Sequence, residues 1–110
     1  MNFNEYQKSA LNTANYNQKY KVIYPALGLG NEAGEVLGKI KKWLRGDDGS
    51  EIMSSERKNK IKEELGDVLW YLAVLARDLD LDFDEIAELN ISKLKSRQER
   101  GVIKGDGDKR

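Results

Sequence analysis

The chain has 110 residues, 39% apolar and 35% charged, with 19 basic and 19 acidic side chains that cancel near neutral pH. That length suits one domain with a single core, and the balanced charge removes the electrostatic footprint of a generic nucleic-acid binder. The absence of cysteine excludes a disulfide framework, and no signal peptide or bilayer-length apolar run is present, so a cytoplasmic protein is expected.

The patterning predicts an all-α, four-helix bundle-like domain over residues 1–110: an N-terminal helix and connector (1–24), a central helical part (25–100) and a polar tail (101–110). The first helix is predicted over Phe3 to Tyr16, with Phe3, Tyr6, Ala10 and Ala14 at helical spacing and Asn2 as its cap. Lys19 to Tyr24 reads as a β-rich connector. Pro25 is placed at the start of the second helix, where its missing N–H costs nothing. That helix runs to about Arg45 and stops at the turn cluster Gly46-Asp47-Asp48-Gly49.

The third helix begins at Ser54 or Ser55 and reaches about Asp80, with an apolar stripe of Ile61, Leu65, Val68, Leu72, Leu75 and Leu79. The fourth opens with a capping box from Asp82 to Glu85, flanked by a staple of Leu81 and Ile86, and ends at Gly101. The tail beyond it is too polar and Gly-rich to build core and reads as a mobile end or a flap.

Two carboxylate pairs stand out, Glu32 with Glu35 and Glu64 with Asp67. Residues three apart share a helix face, so each pair presents two oxygen donors side by side. At about 100° per residue, Leu29, Ala33, Val36, Ile40, Trp43 and Leu44 form the second helix's stripe. Glu32 sits at its edge, with Lys39 beside it and Glu35 slightly further round. On the third helix Glu64 and Tyr71 flank the stripe, with Asp67 next to them. Packing the two stripes together brings both acidic rims to a shared cleft. Clustered carboxylates repel unless a cation sits between them. With no histidine or cysteine in the chain, the matching ion is hard and oxygen-loving: Mg²⁺, with Mn²⁺ as the alternative.

Gly28, Gly30, Gly34, Gly38 and Gly66 cluster beside these acids, each costing about 1 kcal/mol against alanine inside a helix. They are expected to allow close helix approach or to leave room for a ligand. Trp70 and Val74 form an apolar pair away from the third helix's stripe. A second copy covering them gives a homodimer or a dimer of dimers with the third helix at its interface. The equal alternative is a Trp70 packed under the first helix or the 46–53 loop.

The ordered motifs resemble those of the MazG-like, all-α nucleoside triphosphate pyrophosphohydrolases. Their signature is E-x-x-E, a spacer, then E-x-x-D, set here in Leu29-Gly-Asn-Glu-Ala-Gly-Glu-Val-Leu-Gly-Lys39 and Glu63-Glu-Leu-Gly-Asp-Val-Leu-Trp-Tyr71. The resemblance runs from about residue 25 to the end, with a spacer at the long end of the family's range. It implies Mg²⁺-dependent cleavage of a nucleoside triphosphate between the α and β phosphates, in a bundle of two or more subunits. It assigns Glu32, Glu35, Glu64 and Asp67 as metal ligands, with Glu35 preferred over Glu32 for taking a proton from water. Lys39, Asn90, Lys93 and Arg97 become candidates for the triphosphate or sugar, and Tyr71 for the base or sugar. The alternatives are a phosphoribosyl-ATP pyrophosphatase-like enzyme and a non-catalytic helical interaction module. A di-iron bundle is disfavoured, because such sites use histidine.

Overall fold

The computed structural model describes residues 1–110, which form four α-helices and two short 3₁₀ turns with no strand. The helices are α1 (Phe3–Ala10), α2 (Ile23–Leu44), α3 (Ser55–Asp78) and α4 (Phe83–Glu99); the turns cover Leu11–Thr13 and Gln18–Tyr20. Three helix starts carry the caps expected of them. The side chains of Asn2, Ser54 and Asp82 accept the backbone N–H of Glu5, Arg57 and Glu85, at 2.8, 3.1 and 2.9 Å.

Three helix ends share one geometry. After α2, α3 and α4 the chain turns through a left-handed residue, Gly46, Asp80 or Gly101, at φ +94°, +57° and +71°. The next N–H then reaches back: Asp47 to Lys42 O, Leu81 to Ala76 O, and Val102 to Arg97 O, at 3.1, 2.8 and 2.8 Å. These paired bonds satisfy carbonyls that each helix would otherwise leave orphaned.

The N-terminal fifth departs from the expectation. α1 stops at Ala10 rather than Tyr16, because Thr13 Oγ1 donates to Ala10 O at 2.9 Å and the chain tightens into a 3₁₀ turn. Lys19 to Tyr24 is not β-rich; it holds the second 3₁₀ turn and the first residues of α2. A lone β-prone segment has no strand to pair with in a helical chain. α2 therefore starts at Ile23, and Pro25 is its third residue, still within the turn whose N–H groups need no helical partner.

α2 and α3 run antiparallel. Gly28 lies against Tyr71, Lys39 Nζ is 3.5 Å from Glu64, and Arg57 Nη1 donates to Lys39 O, so later residues of one helix meet earlier ones of the other. α1 crosses the far side of α3: Trp70 Nε1 donates to Ala10 O and Thr13 Oγ1, and Gln7 Nε2 to Ala73 O. α1 covers Trp70, and Val74 is fully buried within the chain, so the chain itself occupies the surface proposed for a second copy. α1 also clasps the start of α4: Asn4 and Asp84 exchange backbone-to-side-chain bonds at 3.2 and 3.0 Å, and Phe3 packs on Phe83. A small core of Ala10, Ala73, Ala76 and Phe83 results, bordered by Tyr6, Leu69 and Trp70.

The tail folds back on itself. Arg110 donates to the carbonyls of Val102, Ile103 and Gly107, and Arg97 and Arg100 donate to those of Asp108 and Arg110. The chain as a whole stays open: its radius of gyration is 17.1 Å, against about 13 Å for a compact domain of this length.

Candidate metal centre

Because α2 and α3 are antiparallel, the acidic edge of each meets that of the other near their middles. One carboxylate oxygen from each of Glu32, Glu64 and Asp67 lies within 4.8 Å of the others. Glu32 and Glu64 are half-buried and Asp67 is exposed, so the cluster sits at the mouth of the interhelical groove. Burial is the largest influence raising the Glu32 carboxyl above the usual range, followed by its contact with Glu64 and the charges of Asp67, Glu64 and Glu35. Crowded negative charge on oxygen-only donors is what a hard divalent cation relieves, so the residues present fit Mg²⁺.

Glu35 lies outside this trio, exposed on the next turn of α2, although its charge is felt at Glu32. Lys39 is not free: its ammonium pairs with Glu64, each side chain 19% exposed. Tyr71 stands one turn beyond Asp67, its ring seated against Gly28. Burial raises the Tyr71 hydroxyl pKa first, followed by contact with the Tyr24 hydroxyl and by neighbouring negative charge. Of the five glycines expected to permit close approach, only Gly28 does so within the chain; Gly30, Gly34, Gly38 and Gly66 face open space.

The α4 candidates lie elsewhere. Asn90 and Lys93 are exposed on a helix that packs on α1 and α3. Arg97 is buried, with Nη2 donating to Asp108 O at 2.7 Å and Nε without a partner. None of the three bonds to the acidic trio.

Two features escaped the sequence reading. Asp78 is buried at the end of α3, where it accepts Val22 N–H at 3.0 Å, Arg77 Nε at 2.9 Å and the Tyr16 hydroxyl. Its signal was present: positions 67, 71, 74 and 78 fall on one helix face, so Asp78 stands where α3 faces its neighbours. The second is the aromatic run from that hub. Tyr16 stacks on Tyr24 at 4.9 Å, Tyr24 lies 6.4 Å from Tyr71, and Trp70 meets Tyr71 edge-on at 4.9 Å.

A gene 37 protein of Mycobacterium phage L5 is 46% identical over 87 residues, covering 79% of this chain and 75% of that protein. No solved structure shows a significant match. Residues 24–102 match the MazG nucleotide pyrophosphohydrolase domain, a span that takes in all of α2 but its first residue, α3, α4 and the whole acidic trio. The chain belongs to the MazG nucleotide pyrophosphohydrolase family.

Proposed function

We propose that this protein hydrolyses nucleoside triphosphates between the α and β phosphates, releasing a nucleoside monophosphate and pyrophosphate. The observation that carries this reading is the convergence of Glu32, Glu64 and Asp67 within 4.8 Å in a MazG-family chain. These three would hold Mg²⁺, with Glu35 completing the set from the rim. When bound, the ion neutralises charge on phosphate oxygens and lowers the pKa of a water molecule. Glu35, exposed and beside the trio, would take the proton from the attacking water. Lys39 turns from Glu64 towards a phosphate oxygen. Tyr71 holds the sugar or base edge, and Asn90, Lys93 and Arg97 serve the triphosphate in the assembled protein.

The functional unit proposed is a dimer or a dimer of dimers. Ile23, Leu27, Leu37 and Leu44 of α2, Leu65 and Leu72 of α3, and Leu79 just after it are all exposed in the single chain, from 39% to 74%. They repeat along each helix at spacings that keep them on one stripe, and such stripes are normally buried against another element. A two-fold pairing of this face would close the open shape.

The test is pyrophosphate release from a panel of canonical and modified NTPs and dNTPs with Mg²⁺. Turnover of one or more, lost in Glu64→Gln while the helical signal is kept, supports the reading. Release from phosphoribosyl-ATP alone would identify the related biosynthetic reaction instead. No release from any, and no Mg²⁺-dependent thermal shift, would leave a helical interaction module.

A further inference from the structure

A pocket of about 500 Å³ opens between the 13–24 segment and α3, bordered by Asn15, Tyr16, Asn17, Tyr20, Tyr24 and Trp70. We propose that this pocket binds the nucleobase of the substrate, with the aromatic rings as stacking walls and Asn15 as the reader of the base edge. The inference rests on the proposed metal centre only for where the phosphates lie.

Three observations carry it. The first is position: Trp70 and Tyr71 stand about one helical turn beyond Asp67, a rise of roughly 5 Å along α3. A nucleotide with its phosphates at the acidic trio and its base running along α3 past Tyr71 would reach this pocket. The size suits this occupant, since small-molecule pockets run from about 300 to 1,000 Å³.

The second is the chemistry of the walls. Four aromatic side chains border one concavity, and Tyr20 and Tyr24 remain 47% and 45% exposed. Every base has a π-face, so such rings bind bases without needing a particular sequence of hydrogen bonds. The Trp70 indole is fixed before any ligand arrives, because its Nε1 donates to Ala10 O and to Thr13 Oγ1 at 3.2 and 2.9 Å. Tyr16 is likewise held by its hydroxyl bond to Asp78 and by its stack on Tyr24. Preorganised platforms lose little freedom on binding.

The third is unused hydrogen-bonding capacity. Asn15 bonds within the chain only through its backbone N–H, which donates to Thr13 O, so its side-chain amide keeps both donor and acceptor. Asn17 commits its Oδ1 to Lys19 N at 2.9 Å and keeps its NH₂. A carboxamide pairs two-point with a base edge that offers one donor and one acceptor.

The experiment uses the full chain in a Trp43→Phe background, so that tryptophan emission reports Trp70 alone. The four deoxynucleosides and their monophosphates are titrated in metal-free buffer. Saturable quenching is expected, with affinity reduced about tenfold or more in Asn15→Ala and in Tyr20→Ala. The same variants should raise KM for the preferred triphosphate and alter the ranking of bases, while their Mg²⁺-dependent thermal shift stays that of the parent. Glu64→Gln should lose that thermal shift and keep nucleoside quenching. Quenching with no pyrophosphate release would sink the proposed reaction and keep the pocket. Release with unchanged KM and base ranking in both pocket variants would overturn the pocket. So would quenching that does not saturate, or a pocket found closed by a second chain.

Discussion

The Tyr71 ring occupies the space where a Cβ on residue 28 would stand, so Gly28 and Tyr71 form a lock between α2 and α3. This contact sits beside the acidic trio and sets how the aromatic run meets it. Gly28→Ala should destabilise the fold by about 1–3 kcal/mol through overpacking, against a helix-propensity gain of about 1 kcal/mol. Adding Tyr71→Ala should recover much of that loss, and a double-mutant cycle by thermal melts measures the coupling. Additive effects would mean that the two side chains do not compete for one space.

Glu64 and Glu35 should fail differently. Glu64 belongs to the converging trio and Glu35 stands outside it. Glu64→Gln is expected to remove both turnover and the Mg²⁺-dependent thermal shift. Glu35→Gln should lower turnover by about 100-fold or more and keep a measurable thermal shift. A fully active Glu35→Gln would remove that residue from the reaction.

Asp78 predicts an acid-side response. Burial pushes its carboxyl up, but bonds from Tyr16, Val22 N–H and Arg77 together outweigh this and hold it below the usual range. A carboxyl depressed in the folded state contributes stability above its unfolded pKa of about 3.9, and loses it as pH falls through the lower folded value. Asp78→Asn should therefore cost about 2–3 kcal/mol at neutral pH and flatten the loss of Tm below about pH 4. An unchanged acid limb would refute the assignment.

Leu37 and Leu72 test the assembly. They are 70% and 39% exposed in one chain, so Leu37→Glu removes little packing within it. Light scattering should give an oligomer for the parent and a monomer of retained helicity for Leu37→Glu and Leu72→Glu. A parent that is monomeric at micromolar concentration would dismiss the dimer.

Asp80 offers a simple gain. It holds φ +57° after α3, where glycine has no steric penalty. Asp80→Gly should raise stability by about 0.5–1 kcal/mol, read from chemical denaturation.

The sequence by itself determined that four helices form, the caps that open three of them, and the helix edges on which the acidic residues stand. Each of these rests on local chemistry: a capping side chain, a left-handed glycine, or a stripe repeating every turn. Asn2, Ser54 and Asp82 announce helix starts within four residues of themselves, and Glu32 and Glu64 inherit their places from the stripes they border. What only the tertiary structure decided depends on partners distant along the chain. How Thr13 and Val22 are held follows from contacts with Trp70 and Asp78 more than fifty residues away. The same holds for the covering of Trp70 by α1, the burial of Val74, the pairing of Lys39 with Glu64, and the aromatic pocket. Periodicity names the face a residue lies on, but not which neighbour reaches that face first.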